Sequence, residues 1–250
     1  MTKYLRNVFI LCSVVTLVSI NDIRNVSAEP IYHEKYYPDG AGPLPAVIVL
    51  HTSGGFKTIK HLIQRHVDAG FAVYAPDFFR RHGLTPRTRM QTFDEHREKI
   101  EKELTEIVEL MKTDKKISNK NVFAVGYSNG GFWVCYLTGT GKVRAGVSHY
   151  GVWKANMGRE ISIAPNDYFS KDSSPLLALH GDDDDTQKLD FAETVWDWIK
   201  DKGAKLETHV YEGANHAWDN VLGRHRWPYN EEVDKDAHKR TIAFFKKHMR

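Results

Sequence analysis

The sequence predicts an α/β fold, with a mostly parallel central sheet and helices on both of its faces. Three observations carry this. Short segments rich in β-branched and aromatic residues alternate along the chain with longer amphipathic ones. The best of the short segments, "AVIVLH" at 46–51, is nearly all apolar, as a strand covered on both faces must be. Such alternation is satisfied by strands that lie parallel and are joined by crossover helices.

The elements follow in order. Strands are expected at 46–51, 71–77 ("FAVYAPD"), 121–127 ("NVFAVGY"), 144–151 ("RAGVSHYG"), 175–181 ("PLLALHG") and 206–213 ("LETHVYEG"). Helices are expected between and after them at 57–69, 92–113, 129–138, 187–202 and 234–249. In the second helix Ile100, Leu104, Ile107, Val108 and Met111 recur at helical spacing while Glu and Lys fill the opposite face. The stretch between Gly151 and Pro175 exceeds a tight connection, so it is expected to help cover a site.

The N-terminus reads as an export signal over residues 1–28. Lys3 and Arg6 precede an apolar run from Val8 to Ile20, and Val26, Ser27 and Ala28 offer a cleavage site before Glu29. The run is too short for a spanning helix, which needs about 20 residues. The expected mature domain, 29–250, is exported to the periplasm or beyond. Loss of Lys3, Arg6, Arg24 and Asp22 leaves 32 basic against 31 acidic side chains, a near-neutral chain with no basic stripe for nucleic acid. Only Cys135 survives processing, which excludes an internal disulfide; among Phe132, Trp133 and Leu137 it reads as a buried structural thiol. No His-Glu-x-x-His or comparable ligand spacing occurs, and neither a metal nor a cofactor is expected. Oligomeric state is not legible.

In open parallel sheets ligands bind at the carboxyl ends of the strands, which directs attention to four turns. In "GYSNGG", Ser128 sits between a strand and a helix with Gly126, Gly130 and Gly131 around it. A sharp reversal there strains the serine, lets neighbouring backbone approach and leaves the hydroxyl projecting above the sheet. A serine nucleophile needs a base held by a carboxylate. His216 in "YEGANHAW" follows the last strand and is the expected base. "HGDDDD" supplies the acid, with Asp184 expected because a Gly-x-x-Asp turn returns that side chain toward the sheet, and Asp182 the alternative. The order Ser, Asp, His is the one this elbow arrangement uses. In "HTSGGF", the Ser53 amide is expected to join that of Asn129 in holding an oxyanion.

Taken together, "AVIVLHTSGG", "GFAVYAPDFFRRHG", "VGYSNGG", "HYG", "LALHGDDDD" and "YEGANHAW" resemble the dienelactone hydrolase family of α/β-hydrolases over roughly residues 35–250. The resemblance implies the α/β-hydrolase fold, with Ser128 at the nucleophile, Asp184 and His216 as its partners and Ser53 and Asn129 at the oxyanion amides. Arg81 falls where that family keeps an arginine for a substrate carboxylate, with an exposed ion-pairing arginine as the equal alternative. The chain departs from the pattern at three positions: Ser128 stands for the cysteine nucleophile, Thr52 for an acidic residue beside the oxyanion turn, and Asn220 for a second arginine. The expected substrate is therefore a small-molecule ester, cleaved through an acyl-serine. Peptidase or acyltransferase chemistry on the same triad, or a non-catalytic binding module, are the alternatives. Tyr150, Trp153 and Trp218 flank the catalytic turns and are expected to line the substrate site beside Arg81, with core packing as the competing role.

Overall fold

The computed structural model describes residues 31–40, 42–156, 162–221 and 227–250. The export segment read at 1–28 lies outside them. No helix among the described residues is long and apolar enough to cross a membrane.

The sheet has seven strands: β1 (His33–Tyr36), β2 (Leu44–Leu50), β3 (Ala72–Pro76), β4 (Ile117–Tyr127), β5 (Gly146–His149), and two that follow a small ribbon, β8 (Leu176–Gly181) and β9 (Leu206–Tyr211). The ribbon pairs β6 (Ala155–Asn156) with β7 (Ser162–Ile163) in the connection between β5 and β8. The order across the sheet is β1-β3-β2-β4-β5-β8-β9. Only β1 runs antiparallel, pairing with β3 at the edge. The fold class agrees with the expectation, and so do the six expected strands.

Among the described residues five α-helices accompany the sheet: α1 (Lys60–Asp68), α2 (Arg97–Thr113), α3 (Asn129–Gly139), α4 (Leu189–Asp201) and α5 (Glu231–His248). The two faces of β2 show how they divide. Ala46, Ile48 and Leu50 pack with residues of α2, α3 and α4, while Val47 and Val49 pack with residues of α1 and α5. Both sets are fully buried, which is why this strand reads as an unbroken apolar run.

Two expectations need correction. The helix expected at 92–113 is a short 3-10 turn, Arg89–Phe93, followed by α2 from Arg97, with Asp94 at φ −126°, ψ −88° breaking the run. β1, "HEKY", was not expected as a strand. It is an edge strand whose residues are exposed or half-buried, so it has no apolar run to declare it.

Topology places the site. The connection leaving β2 runs to β3 on one side, and the connection leaving β4 runs to β5 on the other. The sheet order therefore reverses between β2 and β4, the switch point at whose carboxyl ends sheets of this kind bind ligands. His51–Gly55 and Ser128 stand there.

Behind that end of the sheet lies a buried polar cluster. Arg65 of α1 donates to Asp234 of α5 at 2.7 Å and to the Tyr127 hydroxyl at 3.1 Å. His66 lies 3.5 Å from the same hydroxyl, and His149 Nε2 pairs with Thr241 Oγ1 at 2.8 Å. Burial, reinforced by the Arg65 guanidinium, holds both imidazoles well below their ordinary 6.5. The unfolded chain takes up these protons near pH 6.5 and the folded one does not, so acid favours unfolding. Stability is expected to be level above pH 6.5 and to decline as pH falls toward 5.5; urea midpoints that stay flat from pH 7.5 to 5.5 would contradict this.

Candidate active site

The turn from β4 into α3 is built by close backbone approach. A Cβ on Gly126 would meet the Gly130 carbonyl oxygen at 2.2 Å, and one on Gly130 would meet that of Leu50 at 2.3 Å. One on Gly131 would meet Ser148 Oγ at 2.5 Å and Gly151 Cα at 2.7 Å. The glycines allow α3 to press onto β2 and β5, and hydrogen bonds hold it there: Gly130 N–H to His51 O at 3.0 Å, Ser128 N–H to His149 O at 3.0 Å and Val152 N–H to Ser128 O at 3.1 Å. Ser128 itself is left at φ 52°, ψ −109°, a left-handed conformation that a non-glycine residue adopts only under constraint.

His216 reaches this serine from the loop after β9. Its Nε2 lies 2.9 Å from Ser128 Oγ and its Nδ1 2.7 Å from Asp184 Oδ2. Ser128, Asp184 and His216 are all buried. The turn after β8 fixes the carboxylate, because Asp184 Oδ1 accepts the N–H groups of Thr186 and Gln187, each at 2.8 Å. Burial alone would push the Asp184 carboxyl up, but the hydrogen bond and charge of His216 and the Gln187 amide outweigh it and leave it below its ordinary 3.8. Asp182 is engaged elsewhere: its Oδ1 accepts the Gly213 N–H at 2.7 Å, so it ties the two loops together and is exposed. Of the four aspartates, the third is therefore the one brought to the imidazole.

The turn after β2 adjoins the start of α3. Thr52 N–H bonds Thr58 Oγ1, Gly54 N–H bonds Thr52 Oγ1 and Gly55 N–H bonds Thr52 O. This leaves Ser53 as the amide of the turn with no acceptor among the described residues. Asn129 opens α3, where a first-turn N–H has no partner within its own helix. The Asn129 carboxamide also spans the two turns: Nδ2 donates to Thr92 Oγ1 at 3.1 Å and to Ser53 Oγ at 3.4 Å, while Oδ1 accepts from Trp133 Nε1 at 3.1 Å.

The arrangement fits general-base activation of a hydroxyl beside two amides that lack acceptors among the described residues. The profile of the dienelactone hydrolase family matches residues 34–249. The chain belongs to that family. It is 24% identical over 220 residues to protein usf of Aquifex pyrophilus, covering 82% of this chain and 89% of that one. Among solved structures it resembles a Klebsiella pneumoniae protein provisionally called a dienelactone hydrolase, with TM-score 0.73 and 24% identity over 86% of this chain and 92% of the other. It also resembles an esterase of Thermogutta terrifontis solved with propionate, with TM-score 0.66 and 15% identity over 86% and 88%. This member of the family is a hydrolase with the α/β-hydrolase fold.

The expected substrate-lining aromatics need correction. Trp153 and Trp218 are fully buried, the first with its ring 5.6 Å from Trp196 and the second 4.7 Å from Tyr150, so neither presents a surface to a ligand. Tyr150 is equally buried and donates its hydroxyl to Asp219 at 2.6 Å. Position next to a catalytic turn in sequence does not tell which side of the sheet an aromatic takes, and the core took all three. Arg81 lies exposed on the short 3-10 turn Arg80–His82 after β3. Cys135 is buried in α3, where burial pushes its thiol up and away from reactivity.

Two residues beside the site escaped the sequence reading. Gln187 is buried and its carboxamide is fully used: Oε1 accepts from Trp153 N–H and Lys154 N–H at 2.9 Å each, and Nε2 donates to Lys154 O and Thr186 O at 3.2 Å each. It locks the acid turn to the segment after β5, and only its place three residues after Asp184 hinted at this. The Trp227 ring lies 5.0 Å from that of His216 while its Nε1 donates to Asp185 Oδ1 at 2.8 Å. No motif marks it.

The close approach at the elbow is directly testable. Gly130→Ala is expected to cost about 2–3 kcal/mol of stability, because its methyl meets fixed backbone and not a movable side chain. Urea denaturation measures it, and a loss under about 0.5 kcal/mol would mean that the turn relaxes freely.

Proposed function

We propose that the protein hydrolyses a carboxylic ester through an acyl-serine intermediate. The observation that carries this reading is the unbroken hydrogen-bonded run from Asp184 through His216 to Ser128, ending at a serine held in a strained turn. In the first half-reaction His216 Nε2 takes the Ser128 proton as Oγ attacks the ester carbonyl carbon. Asp184 accepts the Nδ1–H throughout, which keeps Nε2 available as the base and stabilises the imidazolium that forms. The oxyanion takes hydrogen bonds from the Ser53 and Asn129 amides, aided by the positive end of α3. Collapse breaks the bond to the leaving oxygen, which departs as an alcohol with the proton from His216. Water then gives its proton to His216 and its oxygen to the acyl carbon, and release of the carboxylic acid returns the proton to Ser128.

Support for an ester substrate comes from the family matched over residues 34–249 and from the likeness to the Thermogutta terrifontis esterase. Arg81, on the turn after β3, belongs to this proposal as a contact for substrates that carry an anionic group.

Ser128→Ala is expected to abolish fluorophosphonate labelling and to bring turnover of a p-nitrophenyl ester to near background, with the circular dichroism spectrum unchanged. Asp184→Asn should lower turnover by roughly 10³–10⁴-fold, as loss of the imidazole's orienting carboxylate does elsewhere. Asp182→Asn should remain near wild type. Full activity in Ser128→Ala, or a reversed ranking of the two aspartates, would refute the assignment.

A further inference from the structure

Three non-glycine residues among those described have left-handed backbone: Ser128 at φ 52°, Tyr150 at φ 35° and Ala217 at φ 55°. Left-handed backbone costs a non-glycine residue of order 1–3 kcal/mol and persists only where its surroundings over-determine it. Ser128 is the elbow and Ala217 follows His216 directly. Tyr150 carries no part of the hydrogen-bonded run, yet it touches the histidine loop at His216, Trp218 and Asp219.

Its position is fixed from three sides. Tyr150 N–H bonds Leu179 O at 2.8 Å, which pins the residue to β8, and the next residue, Gly151, is the one that a side chain at Gly131 would strike. The ring stands 4.9 Å from the His216 imidazole at 66°, an edge-to-face contact, and 4.7 Å from Trp218. The hydroxyl donates to Asp219 Oδ1 at 2.6 Å. Asp219 belongs to the histidine loop itself, three residues past His216, and its backbone carbonyl pairs with His61 Nε2 of α1 at 2.9 Å. Trp218 O accepts the Asn230 N–H at 2.8 Å, just before α5.

We propose that Tyr150 and Asp219 form a buried positioning pair that holds the His216 imidazole in line with Ser128. The pair acts from both sides of the loop: the phenol ring backs the imidazole, and the hydroxyl grips the loop at Asp219 so that Ala217 cannot relax out of its left-handed turn. Asp219 is buried and its Oδ2 has no hydrogen-bond partner among the described residues. A carboxyl kept there with one oxygen unsatisfied is a poor choice for stability alone. It is intelligible as the anchor for a residue whose geometry matters.

The inference rests on the serine-hydrolase reading and is tested so that the two can fail separately. Removing the hydroxyl in Tyr150→Phe is expected to lower kcat for a p-nitrophenyl ester by roughly 10–100-fold with KM within about threefold, because misplacement of a reacting group by about 1 Å has effects of that size. Asp219→Ala should do the same, whereas Asp219→Asn keeps an acceptor for the phenol and should restore most of the lost kcat. The second readout is the low-field proton resonance of the His216 Nδ1–H, identified by its loss in His216→Gln. It should be sharp in the wild type and in Asp219→Asn, and broadened by solvent exchange in Tyr150→Phe and Asp219→Ala. An unchanged kcat or an unchanged resonance in Tyr150→Phe, whatever its melting temperature, overturns the pair as a positioning device. If Tyr150→Phe does not fold, Asp219→Ala decides on the same criteria. If the wild type hydrolyses no ester, the proposed function has failed, and the resonance alone decides whether the pair holds the imidazole.

Discussion

The contact on which the rest depends is the approach of α3 to the end of β2. Gly130 lies so close to Leu50 and His51 that no side chain fits between them, and its N–H closes the gap with a hydrogen bond to the His51 carbonyl. Two things follow. The first turn of α3 comes to lie beside the turn that leaves β2, and the Asn129 carboxamide reaches Ser53 Oγ across the gap. The strand-to-helix reversal also becomes too tight for ordinary backbone at Ser128, which is why its hydroxyl stands out from the sheet rather than capping the helix. Ser128 is the residue preceding α3, and its side chain makes no capping bond. The hydroxyl is therefore free for His216.

The partners are held with the same economy. Both oxygens of Asp184 are engaged, Oδ1 by two backbone amides from its own turn and Oδ2 by the imidazole. A buried carboxylate without such partners would protonate or leave the interior. Gln187 extends the restraint, since the residue that donates its amide to Asp184 also fastens its side chain to Trp153 and Lys154. Val152, one residue earlier, donates to the Ser128 carbonyl. The acid turn and the nucleophile turn are thus tied through the segment after β5, without any contact between the two side chains themselves. Such a frame is what a site needs if its groups are to stay within a few tenths of an ångström of a working geometry.

Legibility in the sequence followed the strength of the local constraint. The central strands were readable because burial on both faces demands continuous apolar residues, and the elbow was readable because only glycine satisfies its close contacts. Asp184 could be told from Asp182 by the turn it closes. The edge strand β1 and the small ribbon β6–β7 were not readable, since two to four residues with polar exposure leave no periodic trace. The aromatics were misjudged for a different reason. Tyr150, Trp153 and Trp218 lie at the right places along the chain to border a cleft, but their burial depends on long-range packing, Trp153 on Trp196 and Trp218 on Tyr150 and His149. The tie between Asn129 and Ser53 is equally non-local and equally invisible from spacing.

Where the family resemblance puts a cysteine this chain has Ser128, and under the proposed mechanism that difference gives the frame a physical meaning. A thiol can ionise near neutral pH and attack as a thiolate, so a cysteine site tolerates a base that is only sometimes in place. A hydroxyl cannot; its proton must leave during the attack itself, to an imidazole already aligned and in the correct tautomer. At Thr52, where the family resemblance puts an acidic residue, the hydroxyl instead donates to Thr58 Oγ1 and accepts the Gly54 N–H, and so shapes the turn after β2 without adding charge to it. An extra carboxylate there would compete for the imidazolium and oppose the oxyanion. Under the proposed mechanism, alignment takes over for serine the work that ionisation does for cysteine, and the hydrogen bonds around Asp184, His216 and their loops suit that requirement.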